Sequence, residues 1–310
     1  MRSLVTGASG FLGTHLTREL VKRGHRVTVL LRAGSRTGFL DGIEGSVRVV
    51  RGDLDDLREL SRALKDEAVD AVVHLAWHGV TAGFRDDPRQ ITCNVRGSLN
   101  LWEIAAEAGC RSWLGLGSQA EYGLTKERLS EDAQELPVTT YGVAKLCLGR
   151  LTEQLCRGAG MRYAWVRLFS AYGPGDDERH MIPSVIRTLL DGQRPRVTAG
   201  DQLWDYLYVE DAVSALCAVL ESDAGGVFNL GSGITVRLRT VIEMIRDLIG
   251  PSLAIGFGEI PYTKDQVMYL CADLRRLEAA TGWKPRVTLE EGLRWTVEDA
   301  ARKRLQVSGR

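Results

Sequence analysis

The chain has 310 residues, 44% of them hydrophobic and 26% charged, which suits one large α/β domain or a larger domain with a smaller partner. Its 40 Lys and Arg residues balance 40 Asp and Glu residues, so no global field favours nucleic acid or anionic lipid as a partner. The chain has no run of about 18 apolar residues and no secretion signal, so we expect a cytoplasmic protein without a membrane span. Its six cysteines form no CxxC pair, so we expect reduced thiols and no metal site.

Short apolar runs alternate with amphipathic segments over the first half of the chain. The predicted strands cover residues 3–6, 26–31, 47–50, 71–75, 112–116 and 162–169. The predicted helices cover residues 11–23, 54–64, 88–108 and 140–157. Because strands that are buried on both faces read as continuous apolar runs, this alternation predicts an α/β fold with a doubly wound parallel sheet of Rossmann type.

The pattern changes after residue 171, where a glycine- and proline-rich turn begins. Shorter elements are predicted over 182–190, 206–209 and 227–230, and helices over 211–220, 236–249 and 289–301. The polar tail from residue 302 is expected to fray. We therefore predict a main domain over residues 1–170, with a later contribution from about 204–232, and a smaller lobe built from 171–203 and 233–310.

The first predicted strand runs directly into a glycine-rich turn. Residues 6–13 read TGASGFLG, with the glycines spaced GxxGxxG between a strand and a helix. Gly7 permits a tight turn, Gly10 lets the backbone approach a pyrophosphate, and Gly13 lets helix and strand pack closely. The free N–H groups at the helix start then face the phosphates of a dinucleotide. The predicted contacts are Gly7, Ser9, Gly10, Phe11, Leu12 and Gly13.

The end of the second predicted strand distinguishes the two nicotinamide cofactors. An NAD site usually places an acidic residue there, to bind the hydroxyl groups of the adenosine ribose. Leu31 occupies that position, and Arg32 follows it. A guanidinium suits a 2′-phosphate by its charge and its bidentate geometry. We therefore predict NADP rather than NAD, with Ser35 and Arg36 as helpers.

Further cofactor contacts are expected where the third and fourth strands end. Asp53, which Leu54 follows, is placed to accept a hydrogen bond from the adenine amino group. Leu75 and Ala76 lie at the carboxyl edge of the sheet, where ligands bind in such folds. The neighbouring His74 either lies at that ligand edge or is a packed histidine with satisfied hydrogen bonds, and the sequence leaves both open.

Tyr141 and Lys145 form the candidate proton-transfer centre. Their i, i+4 spacing in YGVAK places them on one face of a predicted helix. An isolated tyrosine has a pKa of about 10, and a nearby ammonium is expected to lower that pKa towards the working range. The same Lys145 can reach the nicotinamide ribose. Ser118 follows the fifth strand and can hold a substrate oxygen against Tyr141, so the three residues together predict an enzyme.

Several segments together resemble one family. They are TGASGFLG (6–13), GDL (52–54), HLAW (74–77), GSQAEYG (117–123), YGVAK (141–145), RLFSAYGPG (167–175), DYLYVEDAV (205–213) and NLGSG (229–233). The chain resembles the extended short-chain dehydrogenase/reductase family, in its nucleotide-sugar epimerase, dehydratase and reductase branch. The resemblance implies Tyr141 as acid/base, Lys145 as its activator and ribose ligand, and Ser118 as the hydroxyl partner. It also implies a nucleotide-sugar substrate and a homodimer packed through the helices around 88–108 and 140–157.

Departures from the family's pattern narrow the reaction. The dehydratases of this branch carry an Asp-Glu pair directly after the catalytic hydroxyl residue, where this chain has Gln119 and Ala120, so dehydration is not expected. The 3,5-epimerase/reductases use a Cys near Ala120, which is missing, and a His in the next lobe, where His180 stands. The 4-epimerases typically hold NAD through the acidic strand-end residue that this chain lacks. A 4-ketoreductase that consumes NADPH remains.

The predicted function is therefore an NADPH-dependent reductase of a nucleoside-diphosphate 4-keto-6-deoxy sugar. Residues 260–268 look like those of CDP-abequose and CDP-paratose synthases, while the nucleotide stays open among CDP, dTDP, UDP and GDP. Trp204 stands where the family often has Arg, and it either stacks on the ligand or packs inside the protein. The predicted substrate contacts are His78, Gln119, Ser170, His180, Trp204 and Lys264. An epimerase that recycles its cofactor is the alternative, and the intact catalytic residues disfavour a redox sensor.

Overall fold

The computed structural model describes residues 1–67 and 69–308. Its strands are β1 (Arg2–Thr6), β2 (Arg26–Leu31), β3 (Val47–Arg51), β4 (Ala71–His74), β5 (Ser112–Ser118), β6 (Arg162–Leu168), β7 (Ser170–Tyr172), β8 (Leu203–Tyr208), β9 (Gly226–Leu230), β10 (Thr235–Arg237) and β11 (Tyr269–Leu270). Its α-helices are α1 (Phe11–Lys22), α2 (Arg58–Asp66), α3 (Arg96–Glu107), α4 (Thr140–Ala159), α5 (Met181–Leu190), α6 (Val209–Glu221), α7 (Leu238–Ile249), α8 (Arg275–Thr281) and α9 (Leu289–Ser308).

Seven parallel strands form the main sheet, in the order β3-β2-β1-β4-β5-β6-β9. The strand order reverses between β1 and β4, which creates a crevice at the carboxyl ends of these strands, where ligands bind in open α/β sheets. Thr6, His74 and Ser118 end β1, β4 and β5 at that edge. The predicted doubly wound parallel sheet is therefore confirmed.

Helices cover both faces of the main sheet because its strands are apolar on both sides. On one face, α1 and α6 pack together through the fully buried Leu16 and Leu216. On the other face, α2, α3 and α4 cover the sheet, with Leu101 and Leu148 fully buried. Each such leucine contributes about 1.5–3 kcal/mol by leaving water. This two-sided core holds the carboxyl edge of the sheet in place.

A second, smaller sheet lies around β8. β10 pairs with β8 in the antiparallel direction, whereas β11 and β7 pair with it in parallel. Helices α5, α7 and α9 pack against one another, and α9 also contacts β8. Ser170 on β7 lies in register with Tyr206 on β8, two residues after Trp204. Two of the predicted substrate contacts therefore lie on adjacent strands.

Two predicted helices begin later in the structure. The helix predicted over 54–64 starts at Arg58, because Asp53 and Asp56 close a turn through backbone hydrogen bonds of 3.3 and 2.9 Å. In the helix predicted over 88–108, Gln90–Val95 forms a π-helical turn before α3 begins. Residues 88–107 thus lack the continuous α-helix that their apolar spacing indicated.

The tail expected to fray from residue 302 is helical as far as it is described. α9 continues to Ser308, and the i, i+4 ion pair between Lys303 and Asp299, at 2.7 Å, supports the additional turns. Residues 309 and 310, to which the expectation also applied, lie outside the described ranges. None of the helices in the described ranges is both long and apolar enough to cross a membrane. Over the same ranges, no group of three or more His, Cys, Asp or Glu side chains is arranged to hold a metal ion.

Candidate active site

The glycine-rich turn lies against the carboxyl end of β4. Gly7 has a φ of 71°, and a Cβ added to it would lie 2.7 Å from the backbone nitrogen of Ala76. A Cβ on Gly13 would lie 2.0 Å from the carbonyl oxygen of Gly7. The N–H groups of Leu75 and Ala76 donate to Thr6 over 3.2 and 3.3 Å. The predicted cofactor contacts on β1 and β4 are thus brought side by side.

The start of α1 offers free backbone donors. Gly10 precedes the helix and has no side chain with which to cap it. The first-turn N–H groups of Phe11, Leu12 and Gly13 have no partner within an α-helix, and they lie at the positive end of the helix dipole. A turn of bare backbone followed by uncapped N–H groups fits the pyrophosphate of a dinucleotide.

A cleft of about 600 Å³ opens at the carboxyl ends of β2 and β3. The predicted residues Arg32, Ser35 and Asp53 line it. Arg51 lines it as well, and its Nη1 donates to the carbonyl oxygen of Arg32 over 3.3 Å. Arg36, the predicted helper, is not among the lining residues. The sequence missed Arg51 because its proximity comes from the pairing of β3 with β2, not from local spacing.

His74 is a packed residue. Its side chain lies 2.7 Å from both Thr6 Oγ1 and Ser98 Oγ and is 2% exposed. Because Ser98 Oγ donates to the carbonyl oxygen of Asn94 at 2.6 Å, it accepts from His74 Nε2, and Thr6 donates to Nδ1. Burial lowers the pKa of His74 to about 3, and the charge of Lys145 acts in the same direction. Of the two roles left open, the structure supports a neutral histidine that joins β1, β4 and α3.

Ser118 ends β5, and Tyr141 and Lys145 lie in the first two turns of α4. The helix begins there because Thr139 caps its first turn. Lys145 Nζ donates to the carbonyl oxygen of Leu116 at 2.7 Å and lies 6.0 Å from the centre of the Tyr141 ring. The three predicted catalytic residues are all more than nine-tenths buried. The structure brings them together at the carboxyl edge of the sheet.

The pKa values of the pair differ from the sequence-based expectation. Burial raises the pKa of the Tyr141 phenol, although a hydrogen bond with Ser118 and the charge of Arg85 act in the opposite direction. Burial lowers the pKa of Lys145 to about 7, against the negative charge of Glu121. The expected fall in the tyrosine's pKa is wrong for the protein by itself. The Lys145 ammonium lies 3.7 Å from the centre of the Trp77 ring and 6.0 Å from that of Tyr141.

Two predicted substrate contacts belong to the main domain. His78 follows β4, and its backbone N–H and C=O bind the side chain of Asn94 over 2.7 and 3.0 Å. Its ring packs edge-on against Phe84, with the centroids 6.0 Å apart. Gln119 begins the short turn directly after Ser118 and is partly exposed. Gln119 thus adjoins the predicted catalytic residue Ser118, whereas His78 is held by the π-helical turn.

The other predicted substrate contacts lie in the second sheet or in the segments of the smaller lobe around it. His180 precedes α5, and its Nδ1 lies 2.8 Å from Asp176 Oδ1, which raises the pKa of His180. Trp204 is half-buried, and its indole donates to the carbonyl oxygen of Val267 at 2.8 Å. Ser170 is partly exposed on β7, and Lys264 is exposed. Their roles as substrate contacts stay predictions.

Three residues beside the Tyr141–Lys145 pair were not predicted. Trp77 packs edge-on against Tyr141, with the ring centroids 6.0 Å apart. The guanidinium of Arg85 lies 5.7 Å from the centre of the Tyr141 ring. Glu121 is fully buried directly behind the turn that follows β5. Two of the three lie in segments that carry the family resemblance, but spacing along the chain does not show that they face α4.

The sequence pattern of the NAD dependent epimerase/dehydratase family matches this chain over residues 3–231. The chain belongs to this family. It is 31% identical to GDP-6-deoxy-D-mannose reductase of Pseudomonas aeruginosa, over 96% of each chain. The predicted family is therefore confirmed, and with it an enzyme of the nicotinamide-dependent class.

Solved structures of the family have the same fold. UDP-glucose 4-epimerase from Thermotoga maritima, with UDP-glucose, aligns with a TM-score of 0.90 and 27% identity, over 98% of this chain and 100% of that chain. MoeE5 in complex with UDP-glucuronic acid and NAD aligns with a TM-score of 0.87 and 32% identity, over 98% and 100% of the two chains. The α/β architecture of this family member thus extends over both the main sheet and the smaller lobe.

Proposed function

We propose that the protein is an NADPH-dependent reductase of a nucleoside-diphosphate 4-keto-6-deoxy sugar. The observation that carries this proposal is the buried Tyr141 phenol, whose raised pKa keeps it protonated at neutral pH. A ketoreductase needs an acid here, because the carbonyl oxygen gains a proton as the carbon is reduced. When bound, the reduced nicotinamide supplies a hydride to the keto carbon.

The three catalytic residues have distinct roles in this reaction. Tyr141 donates its phenolic proton to the carbonyl oxygen of the sugar. The Ser118 hydroxyl holds that oxygen against Tyr141 and stabilises the charge that develops on it. Lys145 binds the nicotinamide ribose, and since its pKa is about 7 it can be protonated or neutral near neutral pH. It can therefore return a proton towards the phenol between turnovers.

The residues after Ser118 favour reduction over dehydration. An elimination of water across the sugar ring needs further acid and base groups beside the catalytic hydroxyl. Gln119 and Ala120 occupy those positions, and neither side chain transfers protons. The 31% identity to a GDP-6-deoxy-D-mannose reductase supports the same class of substrate, a nucleoside-diphosphate 6-deoxy sugar.

The cofactor in this proposal is NADP, with the 2′-phosphate in the cleft beside β2 and β3. Arg32 and Arg51 line the cleft, and the acidic strand-end residue typical of NAD sites is replaced by Leu31. Two adjacent guanidinium groups suit a dianionic phosphate. Asp53 lines the same cleft as the candidate acceptor for the adenine amino group, with Leu54 beside it.

The proposal extends to the substrate site and to assembly. The nucleotide sugar would bind between the main domain and the smaller lobe, at 171–203 and 233–310. The proposed contacts are His78, Gln119, Ser170, His180, Trp204 and Lys264. We also propose a homodimer packed through the helices around 88–108 and 140–157. Exposed apolar side chains on these segments support this assembly, namely Ile91, Val143 and Leu151.

Consumption of NADPH tests the reductase. Nucleoside-diphosphate sugars are first screened for thermal stabilisation of the protein with NADPH, and the best 4-keto sugar is then followed by absorbance at about 340 nm. We expect stoichiometric loss of NADPH, and we expect Tyr141→Phe to lower kcat by about 10²–10⁴-fold with little change in NADPH binding. Tyr163→Phe, at another buried tyrosine whose hydroxyl donates to a backbone carbonyl, is the control and keeps kcat.

An epimerase that retains and recycles its cofactor is the second candidate. The TM-score of 0.90 to a UDP-glucose 4-epimerase and the NAD in the MoeE5 complex favour it. An epimerase must take a proton through the same phenol before returning it, which the raised pKa of Tyr141 opposes. Turnover of a nucleotide sugar without net absorbance change would support this candidate and contradict the reductase.

A further inference from the structure

Glu121 is a fully buried carboxylate directly behind the proposed catalytic turn. Its side chain accepts hydrogen bonds from the backbone N–H of Ser118 at 2.8 Å and from the indole of Trp165 at 3.1 Å. The Ser118 hydroxyl in turn accepts from the N–H of Ala120 at 3.2 Å. This reciprocal pair is a capping box that closes the turn after β5. The orientation of the Ser118 hydroxyl therefore depends on Glu121.

Arg167 completes the surroundings of Glu121. Its Nε donates to Glu121 Oε2 at 2.7 Å, and both side chains are at most 2% exposed. The polar partners of this carboxylate in the described chain are all donors, so a proton on Glu121 would find no acceptor. Burial raises the pKa of Glu121, while Arg167 and the N–H donors oppose that rise. A paired guanidinium and a shell made only of donors favour the ionised form of Glu121.

Ion pairs connect this carboxylate to helix α4. Arg167 also pairs with Glu135, and Glu135 pairs with Arg150 on α4 at 2.8 Å. The same helix carries Tyr141 and Lys145 in its first two turns. The turn that holds the serine and the helix that holds the other two catalytic residues are thus joined through charged side chains as well as by packing.

Lys145 and Glu121 both border the end of β5. Lys145 Nζ donates to the carbonyl oxygen of Leu116 at 2.7 Å, and two residues further along the strand the N–H of Ser118 donates to Glu121 at 2.8 Å. The other groups that face the Lys145 ammonium are Tyr141 on the same helix, the neutral His74 on β4 and the ring of Trp77. Burial alone would favour the uncharged amine, and Glu121 opposes that effect. No second carboxylate contributes in the same way among these neighbours.

We propose that Glu121 is a positioning residue of the reaction, which orients the Ser118 hydroxyl and favours the ammonium form of Lys145 beside Tyr141. This inference rests on the proposed roles of Ser118, Tyr141 and Lys145, but not on the sugar or on the direction of the reaction. Glu121 acts through its neighbours, since it is fully buried behind them.

A titration without substrate tests the charge role. The protein is labelled with ¹³C-lysine, the Lys145 signal is assigned by its loss in Lys145→Met, and its titration is followed by NMR. We expect Glu121→Gln to lower the midpoint of that titration by about one pH unit or more, because burial of the ammonium is then unopposed. Glu135→Gln removes the other carboxylate from Arg167 without touching the turn, and we expect it to leave the midpoint in place.

Kinetics then test the orientation of the serine. Glu121→Asp keeps the charge but shortens the side chain, so the midpoint of Lys145 stays near that of the wild type while the contact with the Ser118 N–H is lost. We expect the kcat of Glu121→Asp to fall about tenfold with KM nearly unchanged. The alkaline limb of the pH profile is expected to move to lower pH only in Glu121→Gln.

The outcomes separate this inference from the proposed function. An unchanged Lys145 midpoint in a folded Glu121→Gln protein, or an equal shift in Glu135→Gln, overturns the inference whatever the protein reduces. If Glu121→Gln does not fold, Glu121→Asp decides, and an unaltered kcat in that variant overturns the positioning role. A shifted midpoint in a protein that reduces no 4-keto sugar supports the inference and contradicts the proposed reductase.

Discussion

Single side chains at the sheet edge acquire their chemistry from burial. Tyr141, Lys145 and His74 all lie within the protein, where the uncharged form of each is favoured. The phenol is therefore a proton donor in the protein by itself, and His74 is a structural link. Burial raises the pKa of Glu121 too, but the paired guanidinium of Arg167 opposes that rise. The residue types could be recognised along the chain, but the directions of their pKa shifts depend on how deeply each side chain is buried.

Cofactor choice is also decided by single residues. We expect Arg32→Ala to weaken NADPH binding about 10–100-fold more than NADH binding, because the lost charge-assisted hydrogen bonds go to the 2′-phosphate alone. Fluorescence titration of the two cofactors measures this ratio. Arg36→Ala is the matched control, since Arg36 lies outside the cleft lining. Equal losses for NADPH and NADH in Arg32→Ala would contradict the assignment of the phosphate.

At the scale of elements, the β1–α1 unit was predictable in detail. The glycine spacing in residues 6–13 indicated both the turn and the start of α1 at Phe11, where the structure has it. Strands β7, β10 and β11 were not predicted, because two or three residues carry no readable period and are held by pairing with β8. Helix α8, which has seven residues, was not predicted either. Local pattern is informative where an element is long and buried on one side.

The close packing of α1 on β1 leads to a prediction about Gly13. A methyl group there would lie 2.0 Å from the Gly7 carbonyl, so we expect Gly13→Ala to lower the free energy of unfolding by about 1–3 kcal/mol and to weaken NADPH binding. Urea unfolding and cofactor titration measure the two effects. Gly158→Ala in α4 meets open space and is expected to stabilise by up to about 1 kcal/mol. A Gly13→Ala protein as stable as the control would show that the turn tolerates the displacement.

For the whole molecule, His74 couples stability to pH. Its pKa is about 3 in the folded protein, whereas an unfolded histidine titrates near about 6.5. As the pH falls below about 6.5, the unfolded chain binds a proton that the folded protein does not. The free energy of unfolding therefore decreases until the pH approaches 3. We expect His74→Gln to flatten this decrease, measured by urea unfolding between about pH 8 and pH 4.

A second histidine is the control for that measurement. Asp176 raises the pKa of His180 in the folded protein, so His180 contributes stability at low pH that is lost as the pH rises through its folded pKa. His180→Gln should therefore leave the acid loss intact or make it slightly steeper. If the free energy of unfolding of His74→Gln falls with decreasing pH as steeply as that of the wild type, other groups cause the fall.

The sequence by itself determined the class of fold, the glycine turn and the choice of Ser118, Tyr141 and Lys145 as candidates, because each is contained in local periodicity or in a short motif. Only the tertiary structure decided that His74 is packed, that Arg51 rather than Arg36 borders the cleft, and that Glu121 and Arg167 stand behind the catalytic turn. Those facts arise from contacts between residues far apart along the chain. Burial and charge pairing depend on such contacts, and no local pattern records them.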